Sequence, residues 1–254
     1  MNTEPLNSTV VDERFQKWIA ELEKRHLAEL TFSEASRALR ALSSAYVERR
    51  HALRAGAALS GTGKRAAFAL FYAPLHFLLV RHIYRQLAAR ASDRVIDLGC
   101  GTGAAGAAVG TQHTIGIDRN QWAVHEAAAT YRTFGLRAST RQVDVTAFSF
   151  PDRAATVVAA FAMNELPDSA RELMLERLMD RVRLRGDQLL VVEPIARGAA
   201  RWWDGWGERF ARAGGRADQW RVRAELPAIV AKLDRAAGLN HRELTGRSLW
   251  LAKS

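Results

Sequence analysis

The chain has 254 residues, 48% of them hydrophobic and 25% charged, as in a globular protein that buries one substantial core with room for a helical extension. Its single cysteine excludes an intramolecular disulfide and any zinc or iron–sulfur site of the CxxC type, so no metal is expected. The formal net charge of +10 favours anionic partners such as RNA, although no long basic run occurs.

Two N-terminal features predict the cellular location. The N-terminus carries Glu4, Asp12 and Glu13, unlike a secretory signal or a transit peptide. Residues 66–80 are the most apolar window, but this length is too short to span a bilayer, and Pro74 lies inside it. We therefore expect a cytoplasmic protein without a membrane partner.

Residues 1–90 are predicted to form a helical domain or lid. Apolar residues recur at close to a helical period within 11–30, at Phe15, Trp18, Ile19, Leu22 and Leu27. Thr31 and Glu34 form a capping-box pattern that starts a second helix, through about Arg54. This helix presents a solvated or a substrate-facing set of arginines, namely Arg37, Arg40, Arg50 and Arg54.

A third helix is predicted over 64–72, and Pro74 should kink or restart it through Arg90. The preceding Gly-Thr-Gly-Lys segment follows no strand and lacks the spacing of a phosphate loop. Tyr72 and His76 lie at the break before the next domain. They are either packed side chains or substrate-contacting residues, and we carry them as substrate candidates.

A glycine-rich turn opens the second predicted domain, residues 91–254. An apolar run reaches Asp97, and then Gly99, Gly101 and Gly103 alternate before an alanine-rich helix. Alternating glycines let the main chain approach a ligand closely, and the new helix adds unpaired N–H groups. Cys100, inside the turn, is expected to be a small buried residue and not a nucleophile.

Four further apolar runs end in polar residues and predict a doubly wound α/β fold with a mostly parallel sheet. Such sheets bind ligands at the carboxyl ends of their strands. Any single acid could be a helix cap, but their joint placement favours a ligand site. The runs end at Asp118, at Asp144, before Asn164 and Glu165, and at Glu193.

The segment 197–224 is an insert rich in tryptophan and arginine. Trp202, Trp206 and Phe210 repeat every four residues, which favours an amphipathic helix over a base-stacking surface. A helix over 226–237 and a closing hairpin around Thr245-Gly246 complete the predicted domain.

The motif D-L-G-C-G-T-G at 97–103 resembles the first motif of class I S-adenosylmethionine-dependent methyltransferases. The resemblance implies a Rossmann-like seven-stranded sheet with an antiparallel end, and S-adenosylmethionine as cofactor. It assigns the methionine end of the cofactor to Asp97, Gly99, Cys100, Gly101 and Gly103. It also assigns the ribose hydroxyls to Asp118, and the adenine to Asp144 with a backbone contact at Val145.

Three passages are similar to one subgroup, the mitochondrial small-ribosomal-subunit methyltransferase-like proteins and their bacterial relatives. They are Phe71 to Phe77, Met163 to Pro167 and Val192 to Pro194. The chain lacks the additional cysteines of many relatives, so a metal cluster is not carried over.

Asn164 and Glu165 are the predicted acceptor-contacting pair, since they follow the fourth strand. Asn164 would hydrogen-bond the acceptor, and Glu165 would orient it, take a proton, or only stabilise a helix start. No second cysteine is available as the nucleophile that cytosine C5 methylation needs. The predicted reaction is methyl transfer to nitrogen or oxygen, with RNA or a ribosomal particle, or a small molecule, as acceptor. A third hypothesis is a cofactor-binding assembly factor without turnover.

Overall fold

The computed structural model describes residues 9–48, 59–87, 92–110, 112–195, 201–223 and 225–253. These residues divide into two compact units. The first lies within 1–78 and 223–244, and the second within 79–222 and 245–254. The sequence-based division placed the boundary at residue 90 and kept 223–244 with the second domain. The structure instead divides the chain inside a helix and groups a C-terminal segment with the N-terminal helices.

The first unit is built from helices α1 (Thr9–His26), α2 (Phe32–Glu48), α3 (Thr62–Ala67) and α9 (Ala228–Ala236). The predicted apolar face of α1 is buried at Phe15, Trp18, Ile19 and Leu22. The capping box is confirmed, because Thr31 N donates to Glu34 Oε2 at 2.8 Å and Glu34 N donates to Thr31 Oγ1 at 3.3 Å. Arg37 and Arg40 are exposed, whereas Arg50 and Arg54 lie outside the described residues.

Pro74 does not interrupt its helix. A π-helical turn, Phe68–Tyr72, joins α3 to α4 (Ala73–Gln86) without a break. Proline cannot donate the usual helical hydrogen bond, and a π turn beside it is one way for a helix to absorb that loss. The continuous Thr62–Gln86 stretch is therefore long and apolar enough to cross a bilayer, which corrects the length estimate made from the sequence. Its apolar window is 72% buried inside the protein, as in a core helix of a globular protein.

The second unit is a seven-stranded sheet in the order β3-β2-β1-β4-β5-β7-β6. Strands β1 to β5 pair in parallel, and β7 runs antiparallel to β5. This confirms the expected doubly wound fold with an antiparallel end. The strands are β1 (Arg94–Leu98), β2 (His113–Asp118), β3 (Arg137–Gln142), β4 (Thr156–Ala160), β5 (Gln188–Glu193), β6 (Arg216–Val222) and β7 (Leu244–Ala252).

Four helices accompany the strands in this unit. They are α5 (Ala104–Val109), α6 (Gln121–Thr133), α7 (Asp168–Arg185) and α8 (Arg201–Arg212). One buried face of the central strands packs with α7 and α8 through Leu175, Leu178, Trp206 and Phe210. The amphipathic interpretation of α8 is confirmed, because its aromatic side chains lie in this core.

Two sequence-based strand assignments were wrong. The third strand was predicted to run through Val145, but it ends at Gln142, because Asp144 caps a short 3-10 helix, Val145–Ala147. The expected C-terminal hairpin is instead the single strand β7, and its neighbour β6 comes from the insert. The Thr-Gly pair that suggested a turn lies inside β7, where Gly246 leaves room for Leu79 at 2.8 Å from a hypothetical Cβ.

Candidate active site

The glycine turn after β1 depends on backbone conformations that side chains rarely adopt. Gly99, Gly101 and Gly103 have φ angles of 68°, 52° and 79°. A Cβ at Gly99 would lie 2.6 Å from Ala162 Cβ, and one at Gly103 would lie 2.9 Å from Ala127 Cα. The glycines are thus required by the close packing of the turn itself, in addition to any ligand.

Asp97 is buried beneath this turn. Its Oδ2 accepts hydrogen bonds from Gly106 N at 2.7 Å and from the Tyr131 hydroxyl at 2.8 Å. Burial raises the pKa of Asp97 to about 6, and the two hydrogen bonds oppose that rise. Its Oδ1 is buried without a hydrogen-bond partner among the described residues. Asp97 therefore anchors α5 and α6 with one oxygen and keeps the other as an orphaned acceptor beside the turn.

Asp118, at the end of β2, holds the glycine turn from the neighbouring strand. Its Oδ2 accepts from Gly101 N at 3.0 Å, and its Oδ1 accepts from Asn120 N at 2.8 Å. Burial raises its pKa, and these backbone hydrogen bonds oppose the rise. Because each carboxylate oxygen has two lone pairs, both oxygens keep capacity for a further donor such as a hydroxyl.

Asp144 is exposed and caps the short 3-10 helix that begins with Val145. Its Oδ1 accepts from Thr146 N at 2.9 Å and from Thr146 Oγ1 at 2.6 Å. These hydrogen bonds hold its pKa below the ordinary value. The cap role, which the sequence left open, is thus present, and Oδ2 has no partner within the ranges described. Val145 is buried.

Cys100 is buried in the turn, as expected. Burial and the nearby carboxylates of Asp97 and Asp118 raise the pKa of its thiol well above the ordinary value. A neutral, enclosed thiol is a poor nucleophile.

The chain turns sharply after β4. Phe161 has a φ of 59°, and it is the one residue other than glycine with positive φ in the described ranges. Such a conformation is costly for a bulky residue and is concentrated at functional sites. The turn brings Asn164 and Glu165 onto a 3-10 helix, Met163–Glu165, at the carboxyl edge of the sheet.

The side-chain amide of Asn164 is held at both ends. Trp202 Nε1 donates to Asn164 Oδ1 at 3.1 Å, and Asn164 Nδ2 donates to Glu193 Oε2 at 2.5 Å. An indole N–H can only donate, so it fixes which end of the amide is the oxygen. Asn164 is nevertheless exposed, which leaves one N–H and one oxygen lone pair for a ligand.

Glu193 is the buried partner of this network. It is 1% exposed, and its Oε1 also accepts from Asn164 N at 3.1 Å. Burial raises the pKa of Glu193 to about 8, opposed by the backbone hydrogen bonds of Asn164 and Met163 and by the charge of Arg247. Arg247 lies directly opposite Glu193 in the β5–β7 pairing.

Glu165 turns away from this network, toward β2. Its Oε2 lies 3.8 Å from Arg119 Nη2, and its side chain is 57% exposed. Partial desolvation raises its pKa, and the charge of Arg119 lowers it. The two residues that the sequence placed in one role therefore face opposite directions from the same short helix.

Tyr72 and His76 belong to the first unit. The Tyr72 hydroxyl lies 3.0 Å from Ser43 Oγ, and the two rings lie 6.2 Å apart in a cluster with Phe68. Desolvation lowers the pKa of His76 to about 3, so its imidazole is neutral at physiological pH. Both side chains are partly buried, and their role toward a substrate stays a prediction.

The sequence assigned no specific role in the site to Tyr131, Glu193, Trp202 or Arg247. Glu193 had a usable signal, since an acid ends an otherwise apolar strand in the same way as Asp118. Tyr131 and Trp202 had none, because their partners lie 34 and 38 residues away. Arg247 had none because it lies on β7, which was predicted as a hairpin.

The residues around the glycine turn fit an S-adenosylmethionine molecule. The orphaned Oδ1 of Asp97 and the spare lone pairs of Asp118 are acceptors, which suit an ammonium group and ribose hydroxyls. Their negative charge also suits a sulfonium cation. Among the described residues, no group of three or more His, Cys, Asp and Glu side chains could hold a metal ion.

Comparisons with known proteins agree with this chemistry. A family model described as a methyltransferase domain matches residues 95–186. No curated protein matches the chain by sequence.

Several solved structures are similar to the chain. Magnesium protoporphyrin IX methyltransferase of Synechocystis PCC 6803, with bound cofactor, is 15% identical over 71% of this chain and 80% of its own, with a TM-score of 0.49. A Listeria monocytogenes protein described as a class I methyltransferase is 12% identical over 95% and 89%, with a TM-score of 0.49. A Geobacter sulfurreducens methyltransferase with S-adenosylhomocysteine is 15% identical over 68% and 90%, with a TM-score of 0.46.

The glycine turn with its carboxylate oxygens and the matching family model both lie in the second unit and point to the same activity. The chain contains a methyltransferase domain of the class I fold, and it is an S-adenosylmethionine-dependent methyltransferase.

Proposed function

We propose that the protein transfers the methyl group to a nitrogen or oxygen atom of an acceptor that binds beside Asn164. The observation that carries this proposal is the Asn164 amide, which is exposed yet oriented by Trp202 and Glu193. When bound, S-adenosylmethionine supplies an already activated methyl group, so the protein mainly has to align the nucleophile. A fixed amide with one free N–H and one free lone pair is suited to that alignment.

The cofactor itself would be held by the ends of β1, β2 and β3. Asp118 would accept the ribose hydroxyls, and Asp144 would accept the adenine amino group through its second oxygen. The backbone of the glycine turn and Asp97 Oδ1 would meet the methionine end. These assignments combine the resemblance with the spare acceptors described above.

An N–H or O–H acceptor loses a proton when it is methylated. We propose Glu165 as the group that receives it, because its side chain is exposed at the carboxyl edge and desolvation raises its pKa from the ordinary value toward neutral pH. Glu193 is less suited, since it is enclosed and already accepts from Asn164.

Two acceptor classes remain in the proposal. The net charge of +10 and the passages similar to ribosomal-subunit methyltransferase-like proteins favour RNA or a ribosomal particle. The buried tryptophans of α8 favour a small molecule, because Trp203 and Trp206 are 7% and 1% exposed and offer no open stacking surface.

The test is a transfer assay with methyl-labelled S-adenosylmethionine and a native cell extract separated into RNA, protein and small-molecule fractions. Label is expected in one fraction, and it should disappear with the double variant Asn164→Ala and Glu165→Ala. The exposed Glu172→Ala serves as the control. A variant that binds cofactor normally and supports full biological activity without label transfer would instead favour a non-catalytic assembly factor.

The salt dependence of binding distinguishes RNA from a small-molecule acceptor. RNA contacts through several phosphates predict a steep loss of affinity as salt rises. An RNA-binding titration between low and physiological salt that shows no binding removes RNA from the proposal.

A further inference from the structure

Arg247 is a buried cation at the carboxyl edge of the sheet. It is 8% exposed, and its guanidinium lies over the Trp203 ring at 4.2 Å from the centroid. Its Nε and Nη2 atoms are both buried and have no hydrogen-bond partner in the described part of the chain. A buried charge without a hydrogen-bonded counter-ion is costly, so this arrangement needs an explanation.

Two other arginines of this protein show what the Nε–Nη2 edge of an arginine binds. Arg181 directs Nε and Nη2 to the two oxygens of Asp187, at 2.5 Å and 3.1 Å. Arg216 directs Nε and Nη2 to the two oxygens of Asp218, at 2.7 Å and 2.6 Å. The Nε–Nη2 edge is a fork that matches two oxygens of one anion. In Arg247 the fork is present without its anion.

The two carboxylates of the chain near Arg247 either accept hydrogen bonds from another residue or are exposed to solvent. Glu193, directly opposite, accepts from the backbone and side-chain amides of Asn164. Asp204 acts on Arg247 through its charge, but it is solvent-exposed. Neither carboxylate reaches hydrogen-bond distance of the fork.

The position of Arg247 in the sheet indicates that an anion bound by this edge would belong to the methyl acceptor and not to the cofactor. In the sheet order β1-β4-β5-β7, β7 lies three strand spacings from β1, about 14 Å. The glycine turn and its carboxylates belong to β1 and β2, whereas Arg247 lies beside Trp203 and opposite Glu193, which accepts from Asn164. A ligand that contacts both Asn164 and Arg247 would extend across β5, away from the cofactor's strands.

We propose that the Nε–Nη2 edge of Arg247 binds a terminal carboxylate or phosphate group of the methyl acceptor. This inference rests on the proposed function and narrows the acceptor to a small molecule. A terminal group can enter an enclosed fork beside Trp203, whereas a phosphodiester inside an RNA chain is flanked by sugar on both sides.

The first experiment observes the fork directly, in protein saturated with S-adenosylhomocysteine. The arginine Nε–Hε resonances are recorded by NMR, and that of Arg247 is assigned from its loss in Arg247→Lys. Acetate or inorganic phosphate should shift this resonance saturably and leave the already filled Arg181 and Arg216 unchanged. No shift, or equal shifts at all three arginines, overturns the proposal.

The second experiment uses Arg247→Met, which keeps length against Trp203 and removes the charge. Transfer of labelled methyl to the fraction methylated by the wild type should fall at least about 30-fold, the usual cost of losing one partner of a buried charge pair. The melting temperature should stay equal or rise, since an unpaired charge is removed. The matched variant Arg181→Met should lower the melting temperature, because it strands Asp187.

The two possible sources of the anion are separated by cofactor binding. Calorimetry with S-adenosylmethionine and with 5′-methylthioadenosine, which lacks the amino-acid carboxylate, should give unchanged affinities in Arg247→Met. A loss for the first compound alone assigns the fork to the cofactor carboxylate and overturns the acceptor assignment. If label instead transfers to RNA in both proteins equally, the inference fails while methyl transfer stands. If the wild type labels nothing but acetate fills the fork, methyl transfer fails and the anion site stands.

Discussion

The proposed cofactor side and the proposed acceptor side of the site are held together by different kinds of contact. On the cofactor side, both carboxylates accept from backbone N–H groups: Asp97 from Gly106 N in the following helix α5, and Asp118, at the end of β2, from Gly101 N in the glycine turn. On the acceptor side, Asn164 is oriented by side chains 29 and 38 residues away. A carboxylate that binds backbone N–H groups beside a glycine turn leaves a short sequence motif, whereas a network between distant side chains leaves none. A short stretch of sequence therefore indicates the reaction class, whereas it does not indicate which molecule accepts the methyl group.

The largest expected effect tests the cofactor side. Gly99→Ala should destabilise the protein by about 2–5 kcal/mol, because it combines a positive φ with a clash against Ala162. Binding of S-adenosylhomocysteine should be lost with it. Gly135→Ala is the matched control, since its φ is 71° with nothing within 4 Å of a new Cβ. Urea denaturation should show about 1–2 kcal/mol for the control, and equal losses would contradict the packing account.

A second prediction concerns the two carboxylates that follow β2 and β3. Asp118→Asn should weaken cofactor binding about 10- to 100-fold, because a charged acceptor is lost and an amide N–H would face Gly101 N–H. Asp144→Asn should cost less, about three- to tenfold, because its amide oxygen keeps the cap at Thr146 and only the exposed contact with the adenine amino group is lost. Calorimetry with S-adenosylhomocysteine measures both. A reversed order would make the third strand, and not the second, the main cofactor contact.

The third prediction uses pH to examine the acceptor side. The folded pKa of Glu193, about 8, lies above its ordinary value of 4.5, so the folded state holds this proton more tightly than the unfolded state. Its contribution to stability is complete below about pH 4.5 and is lost as pH rises through about 8. The unfolding free energy of the wild-type protein should therefore fall by on the order of 5 kcal/mol over this pH range, and Glu193→Gln should not show this loss.

Urea denaturation at several pH values measures this difference. The control is Asp152→Asn, whose carboxyl is 90% exposed at its ion pair with Arg185. The control should follow the wild-type curve. A Glu193→Gln curve with the wild-type slope would show that Glu193 is ionised in the folded protein at neutral pH.

The smallest expected effect separates orientation from packing. Trp202→Phe removes the N–H that fixes Asn164, and methyl transfer should fall about 3- to 10-fold with cofactor affinity unchanged. Trp206→Phe removes an equivalent N–H bond, to Glu172 on α7, and should leave transfer unchanged. A steady-state transfer assay compares the two. Equal reductions would assign the effect to the packing of α8.

Local patterns predicted most of the fold. The glycine turn, the capping box at Thr31 and Glu34, and strands β1, β2, β4 and β5 needed only neighbouring residues. The failures share one cause. The Thr-Gly pair at 245–246 suggested a turn, but pairing of β7 with β5 keeps it in a strand. Pro74 suggested a break, but a π-helical turn before it keeps the helix continuous.

The residues of the site also divide into those that local sequence predicted and those that only tertiary contacts define. Asp97 and Asp118 were predicted as site residues because carboxyl ends of parallel strands meet at one edge, and the structure brings them together at the glycine turn. Glu165 was predicted by the same rule, but only the structure shows that its side chain lies beside Arg119 and apart from the Asn164 network.

By itself, the sequence determined the methyltransferase class, because a turn that bends through three glycines beside an acid is a contiguous and sterically demanding feature. Only the tertiary structure decided that Glu193 and Trp202 hold Asn164 and that Arg247 lies opposite Glu193. Their positions depend on strand order and on the packing of α8, and the physical reason is that side chains far apart in the chain acquire partners only when the sheet is assembled.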